Sequence, residues 1–514
     1  MAGLIAAFVG IGVGWLVAAA IDVVSPLDAV GSEFIDNTPH WLKVQAIRWF
    51  GTSDKTALRV GMVLTIALLA LVVGAIARRR PRLGVAAIVA FGVLGAVVAA
   101  GRPGEGAAAA LAPLLGAAAG AAVLWYLSRL VGAADPAPER PGPSRAPQGW
   151  DRRRFMRASG AAAGVAAVAT AIGRGVTAAR ESDQRAASNV QLPTLATAPT
   201  GGTLPGSPSE PVAPEGAQLF DATPFITPNK DFYLIDTTLS LPRVDLKKWT
   251  LTIDGMVSKK LSLTYNDLLA RPMVERTITI ACVSNEVGGD YIGNAVWQGV
   301  ALADLLREAG VDPAAEQVFG TSVDGWTCGF PVSAALDGRD AIIAVGMNGK
   351  ALPPEHGFPA RVIVPGLYGY VSATKWVQRL SLTTWAQAEG YWVPRGWARD
   401  APVKTQSRID VPRRGDRVPV GRTAIAGVAW AQHRGVTKVE VSIDGGPWAE
   451  ARLGKDVSID AWRQWAYDWD ATPGDHEVRV RATDATGVPQ TDQIARPDPD
   501  GATGYHTRRI TVSA

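Results

Sequence analysis

Cysteine is nearly absent from this chain: its 514 residues include two, Cys282 and Cys328. Two thiols exclude a disulfide-built scaffold and any zinc or iron–sulfur centre assembled from several cysteines. Histidine is almost as scarce, with five residues, His40, His356, His433, His476 and His506. None falls in a long apolar stretch, and no Cys-x-x-Cys-His sequence occurs. Haem held between helices by paired histidines, or attached covalently, is therefore not expected in this chain. Charge of one sign is also lacking, since the net charge is +4. Basic residues sit beside apolar segments and nowhere form runs interleaved with aromatics, a pattern of membrane topology and not of a nucleic-acid surface.

Long apolar runs are what the first third has instead. Residues 3–24, 60–77, 83–100 and 107–130 are each near the roughly 20 residues needed to cross a hydrocarbon core, and 158–173 form a shorter, weaker fifth. Residues 1–133 thus read as a membrane domain with four transmembrane helices. The first two spans enclose Trp41, Leu42, Val44, Ile47, Trp49 and Phe50, which suit an amphipathic helix on the membrane surface or an ordinary loop helix. The basic run Ala77-Arg-Arg-Arg-Pro-Arg82 places its loop on the cytoplasmic side, because positive loops stay inside. Counting outward puts the N-terminus inside, an Arg-rich cytoplasmic linker at 134–157, and everything after the fifth helix outside the cytoplasm. Asp151-Arg-Arg-Arg-Phe-Met-Arg157 before the fifth span looks like an internal twin-arginine export signal, or plain positive-inside flanking.

Residues 181–218, rich in Pro, Thr, Gly, Ser and Ala, read as a flexible linker. Residues 219–400 mix strands with helices such as 301–309. Residues 401–514 show strands only, at 424–431, 436–443, 448–452, 464–469, 476–483 and 507–512, separated by turn signals. Short alternating strands at that spacing predict an immunoglobulin-like β-sandwich.

Cys282 closes the alternating run Thr277-Ile-Thr-Ile-Ala-Cys282 and enters the turn Val283-Ser-Asn-Glu-Val-Gly-Gly-Asp290. A thiol at a strand end can be a metal ligand, a nucleophile, half of a disulfide with Cys328, or an inert apolar group. Two further motifs accompany it. Tyr291-Ile-Gly-Asn-Ala-Val-Trp-Gln-Gly299 follows, and Met347-Asn-Gly-Lys-Ala-Leu-Pro-Pro-Glu-His-Gly-Phe-Pro-Ala-Arg-Val-Ile-Val-Pro-Gly366 leads to Ser372-Ala-Thr-Lys-Trp376.

Together these motifs resemble the sulfite oxidase family of molybdopterin enzymes, over about 227–512. The resemblance implies a mixed α+β molybdopterin domain at 219–400 and an all-β dimerisation-type domain at 401–514. It implies one molybdenum, bound through molybdopterin with Cys282 as thiolate ligand, which a disulfide at Cys282 would preclude. Cys328 then becomes a buried structural thiol. His356 and Arg361 match the pair that grips the pterin and its phosphate. Ser372, Thr374 and Lys375 match the loop that closes over the phosphate, Thr321 a pterin-contacting position, and Tyr233 and Leu234 the segment on the cofactor's other side.

The departures from the family pattern concern charge. Where sulfite oxidases read Phe-Val-Arg-Asn-His, this chain reads Phe232-Tyr-Leu-Ile-Asp236, so Leu234 replaces an arginine. After the cysteine the family continues Ala-Gly-Asn-Arg-Arg; here Asn285 is kept, and Glu286 and Val287 stand where the arginines were. Arg434 lies near the position from which the β domain of sulfite oxidases supplies another arginine. A dianion needs desolvated positive donors, so a neutral substrate such as a sulfoxide or N-oxide is expected for oxygen-atom transfer. Sulfite oxidation with a rewired pocket is the alternative, and a membrane-tethered binding module without catalysis is a third. Asp236 and Glu286 are the candidate proton-handling groups, each equally readable as a solvated carboxylate. The expected partners are the lipid bilayer of the cell membrane, a separate electron-transfer protein and, through the β domain, a second copy of the chain.

Overall fold

A computed structural model describes residues 1–39, 54–132, 152–187, 190–193, 213–220 and 223–513, together with 42, 45, 46, 49 and 50. Trp41, Val44 and Ile47 of the amphipathic segment, most of the Arg-rich linker (133–151) and the middle of the Pro/Thr-rich linker (194–212) lie outside the described residues. The chain forms two compact units, Met1–Asp183 with Thr237–Leu241, and Gln184–Asp236 with Pro242–Ala514.

The first unit is helical: α1 (Ala2–Ile21), α2 (Pro26–Asn37), α3 (Asp54–Arg79), α4 (Pro81–Gly101), α5 (Leu111–Gly132) and α6 (Arg152–Ala187). Five stretches, Ala2–Ile21, Lys55–Arg79, Pro81–Gly101, Ala107–Leu130 and Arg153–Arg180, are long and apolar enough to cross a membrane. The fifth is much longer than its apolar run, because the Ala- and Arg-rich flanks are themselves strong helix formers. Among apolar tails helices gain nothing from the hydrophobic effect, so close backbone approach through small residues has to hold them together. A Cβ on Gly116 of α5 would come 2.5 Å from the Gly10 carbonyl of α1, and one on Gly120 would come 2.8 Å from that of Ala6. Gly12 of α1 meets the Ala166 carbonyl of α6 in the same way, at 2.7 Å. One end of this bundle carries ion pairs, Arg102–Asp36 at 2.6 Å and Arg180–Asp22 at 3.0 Å, with Glu105 accepting from Val24 N at 2.7 Å. The turn between α3 and α4 carries Arg78, Arg79, Arg80 and Arg82 instead.

The second unit contains four sheets. Its first ten strands are β1 (Thr250–Gly255), β2 (Leu261–Thr264), β3 (Val274–Ala281), β4 (Ile292–Ala301), β5 (Gln317–Ser322), β6 (Thr327–Pro331), β7 (Ile342–Met347), β8 (Lys350–Ala351), β9 (Arg361–Ile363) and β10 (Val377–Thr383). They build one sheet in the order β2-β1-β10-β5-β6 and another in the order β3-β4-β7-β8, with β9 also paired to β7. β4 is buried along nearly its whole length, on both faces, which explains a mostly apolar sequence whose two polar residues, Asn294 and Gln298, are hydrogen-bonded to Phe225 O and Pro193 O. The rest are β11 (Gln406–Val411), β12 (Arg417–Pro419), β13 (Gly421–Trp430), β14 (Val436–Ile443), β15 (Ala449–Glu450), β16 (Arg452–Leu453), β17 (Arg463–Ala471), β18 (Gly474–Asp484) and β19 (His506–Ser513).

These nine form two sheets, β11-β13-β17-β16 and β12-β19-β18-β14-β15. Ile409, Ile425 and Trp465 of one meet Val439, Val480 and Ile510 of the other in a common core. A separate apolar cluster joins the two halves of the unit, with Ala281, Val283, Tyr368 and Val371 packed among Trp397, Val428, Trp430 and Trp462. Within the described parts of the expected linker, α6 runs on to Ala187, Pro193 O accepts from Gln298 Nε2 at 2.8 Å, and Gly216 O accepts from Lys455 N at 2.8 Å.

Candidate active site

β3 carries Thr and Ile side chains that suit a pleated, half-buried surface, and it ends at Ala281. The next residue, Cys282, is buried, its N–H donating to Tyr291 O at 2.9 Å. Asn285 closes the turn, its N–H on the Cys282 carbonyl at 3.1 Å and its Oδ1 accepting from Tyr291 N at 2.8 Å. Both cysteines are free thiols. Burial raises the Cys282 pKa, while hydrogen bonding from Ser284 and the charge of Lys375 act in the opposite direction. Cys328, 3.0 Å from Thr374 Oγ1, is pushed up to about 12 by burial and remains a thiol at any ordinary pH.

The turn between β8 and β9 presents His356 and Arg361, both buried. Gly357 has φ +113°, and a Cβ there would press on Lys375 Cα at 3.1 Å, so only glycine lets the Lys375 loop close on this turn. His356 Nε2 lies 2.9 Å from Asn229 O, which makes Nε2 the protonated nitrogen of a neutral ring. Neutrality is enforced chiefly by burial, then by the nearby Lys375 and Arg361 cations, which together bring its pKa down to about 4. Nδ1 is then a buried acceptor with no partner among the described residues. Arg361 donates to the His356 carbonyl at 3.1 Å and lies over the Trp297 ring at 5.1 Å. Its Nε–H is likewise buried without a partner among the described residues. Among the described residues no carboxylate lies within ion-pair distance of it. Burial lowers its pKa to about 10, so it stays a cation at neutral pH.

A buried guanidinium with an unused donor and no carboxylate beside it among the described residues is costly unless an anion completes it. A buried neutral imidazole with a bare acceptor calls equally for an N–H or O–H donor. Those two orphaned atoms, beside a soft buried thiol, fit a phosphorylated pterin dithiolene that carries molybdenum. They also refine the expected pair: Arg361 suits the phosphate, whereas His356 suits a donor on the pterin.

Other predicted residues join the same group. Tyr233 is stacked on Phe232 at 5.2 Å, and Phe232 meets His356 edge-on at 5.7 Å. Burial, together with the charge of Cys282, raises the Tyr233 phenol, so it stays protonated. Lys375 is mostly buried and pairs with Asp236 at 2.9 Å while donating to Glu355 O at 3.1 Å. Asp236 is therefore no solvated carboxylate. Thr374 is buried, and its carbonyl accepts from Val362 N at 3.0 Å. Ser372 turns its hydroxyl inward, donating to Tyr368 O at 3.0 Å, and Thr321 is half-buried on β5.

Three residues stand apart. Leu234 is 51% exposed and Glu286 is also exposed. Arg434 is neither in open solvent nor unengaged: its guanidinium bonds Asp484 at 3.0 Å, Val403 O at 2.9 Å and Thr405 Oγ1 at 3.0 Å. Sequence reasoning missed Tyr368, a second phenol held protonated chiefly by burial and within electrostatic reach of Cys282. It also missed Trp297 beneath Arg361 and Asn229 behind His356. Trp297 lies within the 291–299 motif, whereas no local pattern marks Tyr368 or Asn229, which tertiary packing brings to the site.

Residues 238–392 match the family model described as "Oxidoreductase molybdopterin binding domain". Sulfite oxidase from Gallus gallus is 31% identical over 321 residues, covering 53% of this chain and 69% of its own length. Mitochondrial sulfite oxidase from Homo sapiens is 30% identical over 320 residues, and the chain spans 58% of its length. The oxidoreductase YuiH from Bacillus subtilis (strain 168) is 35% identical over 153 residues, 30% of this chain and 74% of that protein. Among solved structures, the sulfane dehydrogenase SoxCD from Paracoccus pantotrophus aligns over 60% of this chain and 89% of its own with 26% identity and a TM-score of 0.49.

Proposed function

The chain belongs to the sulfite oxidase family of molybdopterin oxidoreductases, and on that footing we propose that it transfers an oxygen atom to or from a small neutral substrate such as a sulfoxide or N-oxide. When bound, the cofactor supplies the two-electron oxygen-atom chemistry. Cys282 would bind its metal. Arg361 and Lys375 would balance its phosphate, His356 would accept from the pterin, and Thr321, Ser372 and Thr374 would line the cradle. Tyr233 and Tyr368, both held protonated chiefly by burial, keep their hydroxyl hydrogens as donors.

One observation carries the choice of a neutral substrate: the arginines that would bind an anion are missing or engaged elsewhere. Leu234 stands exposed in place of one, Glu286 is exposed on the cysteine loop, and Arg434 is held by Asp484. A sulfite dianion placed there would lose hydration without gaining charge-assisted donors. Lys375, whose charge reaches Cys282, favours the second reading, in which the substrate is sulfite, as the names of the animal relatives say of those proteins.

We place the enzyme in the cell membrane as a multi-pass protein with its catalytic unit outside the cytoplasm. The five apolar helices, the arginine turn after α3 and the ion-paired opposite end of the bundle support this. Electrons would pass singly to a separate partner protein. The β-sandwich is read as immunoglobulin-like and as the site of pairing with a second copy.

The test is turnover by protein loaded with molybdenum, assayed with reduced dye for sulfoxides and N-oxides and with oxidised dye for sulfite. Faster turnover of sulfite than of any neutral oxide would overturn the neutral-substrate reading, and loaded protein inert to all of them would overturn both.

A further inference from the structure

The loop that follows Cys282 has little cover of its own. Glu286 is exposed, the Asp290 side chain is 96% exposed, and two consecutive glycines, Gly288 and Gly289, leave its backbone bare. Yet the sandwich half reaches this backbone at two points. Buried Arg408 on β11 donates to Gly289 O at 2.9 Å. Its charge is balanced by Asp410 at 2.6 Å, which in turn accepts from Thr223 Oγ1 at 2.8 Å. The adjacent Ile409 N–H donates to His506 Nδ1 at 2.9 Å, which leaves Nε2 as the protonated nitrogen and orients the ring. That ring lies on Gly288, where a Cβ would come 2.4 Å from Nε2 and where φ is +79°.

We propose that Arg408 and His506 are positioning residues, a clamp by which the β-sandwich sets the loop carrying the Cys282 thiol. A buried Arg–Asp pair is poor value as mere filling, since apolar side chains of equal volume do as well or better there. An arginine aimed at one loop carbonyl, beside an oriented ring that admits only glycine opposite, defines a position instead. The sandwich thereby serves the metal site within a single chain, whether or not it also pairs with a second copy.

The test uses the full chain in detergent, purified from a host that makes no molybdopterin, and follows alkylation of each cysteine by mass spectrometry. Cys328, buried on β6, is the internal control. Loss of the clamp in Arg408→Met should speed labelling of Cys282 by about tenfold or more with Cys328 unchanged, because exchange through local opening follows the stability of that segment alone. Arg408→Lys, which keeps a donor and the charge, should restore most of the protection. Gly288→Ala leaves every clamp side chain in place and pushes the loop off His506, so it should mimic Arg408→Met, and it decides the matter if Arg408→Met does not fold. The proposal is overturned if Gly288→Ala and any folded Arg408→Met label Cys282 at the wild-type rate, if both cysteines speed up together, or if Arg408→Lys protects no better than Arg408→Met.

Discussion

The two units bury opposite things. The helical unit packs backbone on backbone through Gly10, Gly116 and Gly120, and its ion pairs gather at one end of the bundle. The catalytic unit buries His356, Arg361 and Lys375 against the rings of Phe232, Trp297 and Trp376, and Arg408 beside Asp410. Burying small apolar residues needs nothing in return, whereas burying a cation costs several kcal/mol unless a partner completes it. Asp236 and Asp410 complete Lys375 and Arg408, which leaves Arg361 as the buried cation that a ligand would complete.

The largest effect that would sharpen this contrast belongs to Cys282→Ser. Replacing a soft thiolate by a hard hydroxyl should lower turnover by about a thousandfold or more and remove the thiolate-to-metal absorption band, read on protein whose metal content is measured separately. Arg361→Ala should come next. With the guanidinium gone, the phosphate of the cofactor loses its buried counter-charge, and purified protein should retain about a tenth or less of the wild-type pterin, measured by fluorescence after release. Retention of full pterin content would break the claim that the uncompensated cation marks a ligand.

Gly116→Leu probes the other unit. Overpacking against the Gly10 carbonyl should cost about 1–3 kcal/mol, seen as a lower melting temperature of the helical unit in detergent, while dye-linked turnover per molybdenum is unchanged. Equal loss of both would show that the units are not distinct in the way their packing implies.

The smallest effect is a pH dependence confined to the catalytic unit. Burial holds His356 and His506 neutral, with pKa values near 4 instead of 6.5. The unfolded chain therefore binds protons first as pH falls, so stability is present above about 6.5 and is lost between there and about 4. Asp460, raised to about 6 by burial, works with the opposite sign across part of the same window and offsets one of the two histidines. The net loss should be on the order of 1–3 kcal/mol, visible as a lower urea midpoint at pH 5 than at pH 7. His506→Gln should flatten that slope by removing one of the two groups.

Much of this was legible along the chain. The apolar runs, the strand from 436 to 443, the Cys282 strand end and the His356–Arg361 turn all announce themselves through periodicity or local motif. β11 did not. Gln406-Ser-Arg-Ile-Asp-Val411 buries Gln406, Ser407 and Arg408, so the alternation of apolar and polar residues that marks a half-buried strand is missing. Those polar groups are tolerable because partners distant in sequence satisfy them, Ala502 O for Gln406, Gln490 for Ser407 and Gly289 O for Arg408, whose charge the neighbouring Asp410 balances.

The sequence by itself determined the order of the parts and placed Cys282 at a strand end and His356 with Arg361 on one turn, because hydropathy, strand alternation and motif spacing are local properties of a chain. Only the tertiary structure decided the states of the charged groups. It left Arg361 without a counter-ion among the described residues, gave His356 its tautomer, committed Arg434 to Asp484, and set the sandwich against the cysteine loop. Each of these depends on which groups share a buried volume, and residues more than a hundred positions apart meet there only after the chain has folded.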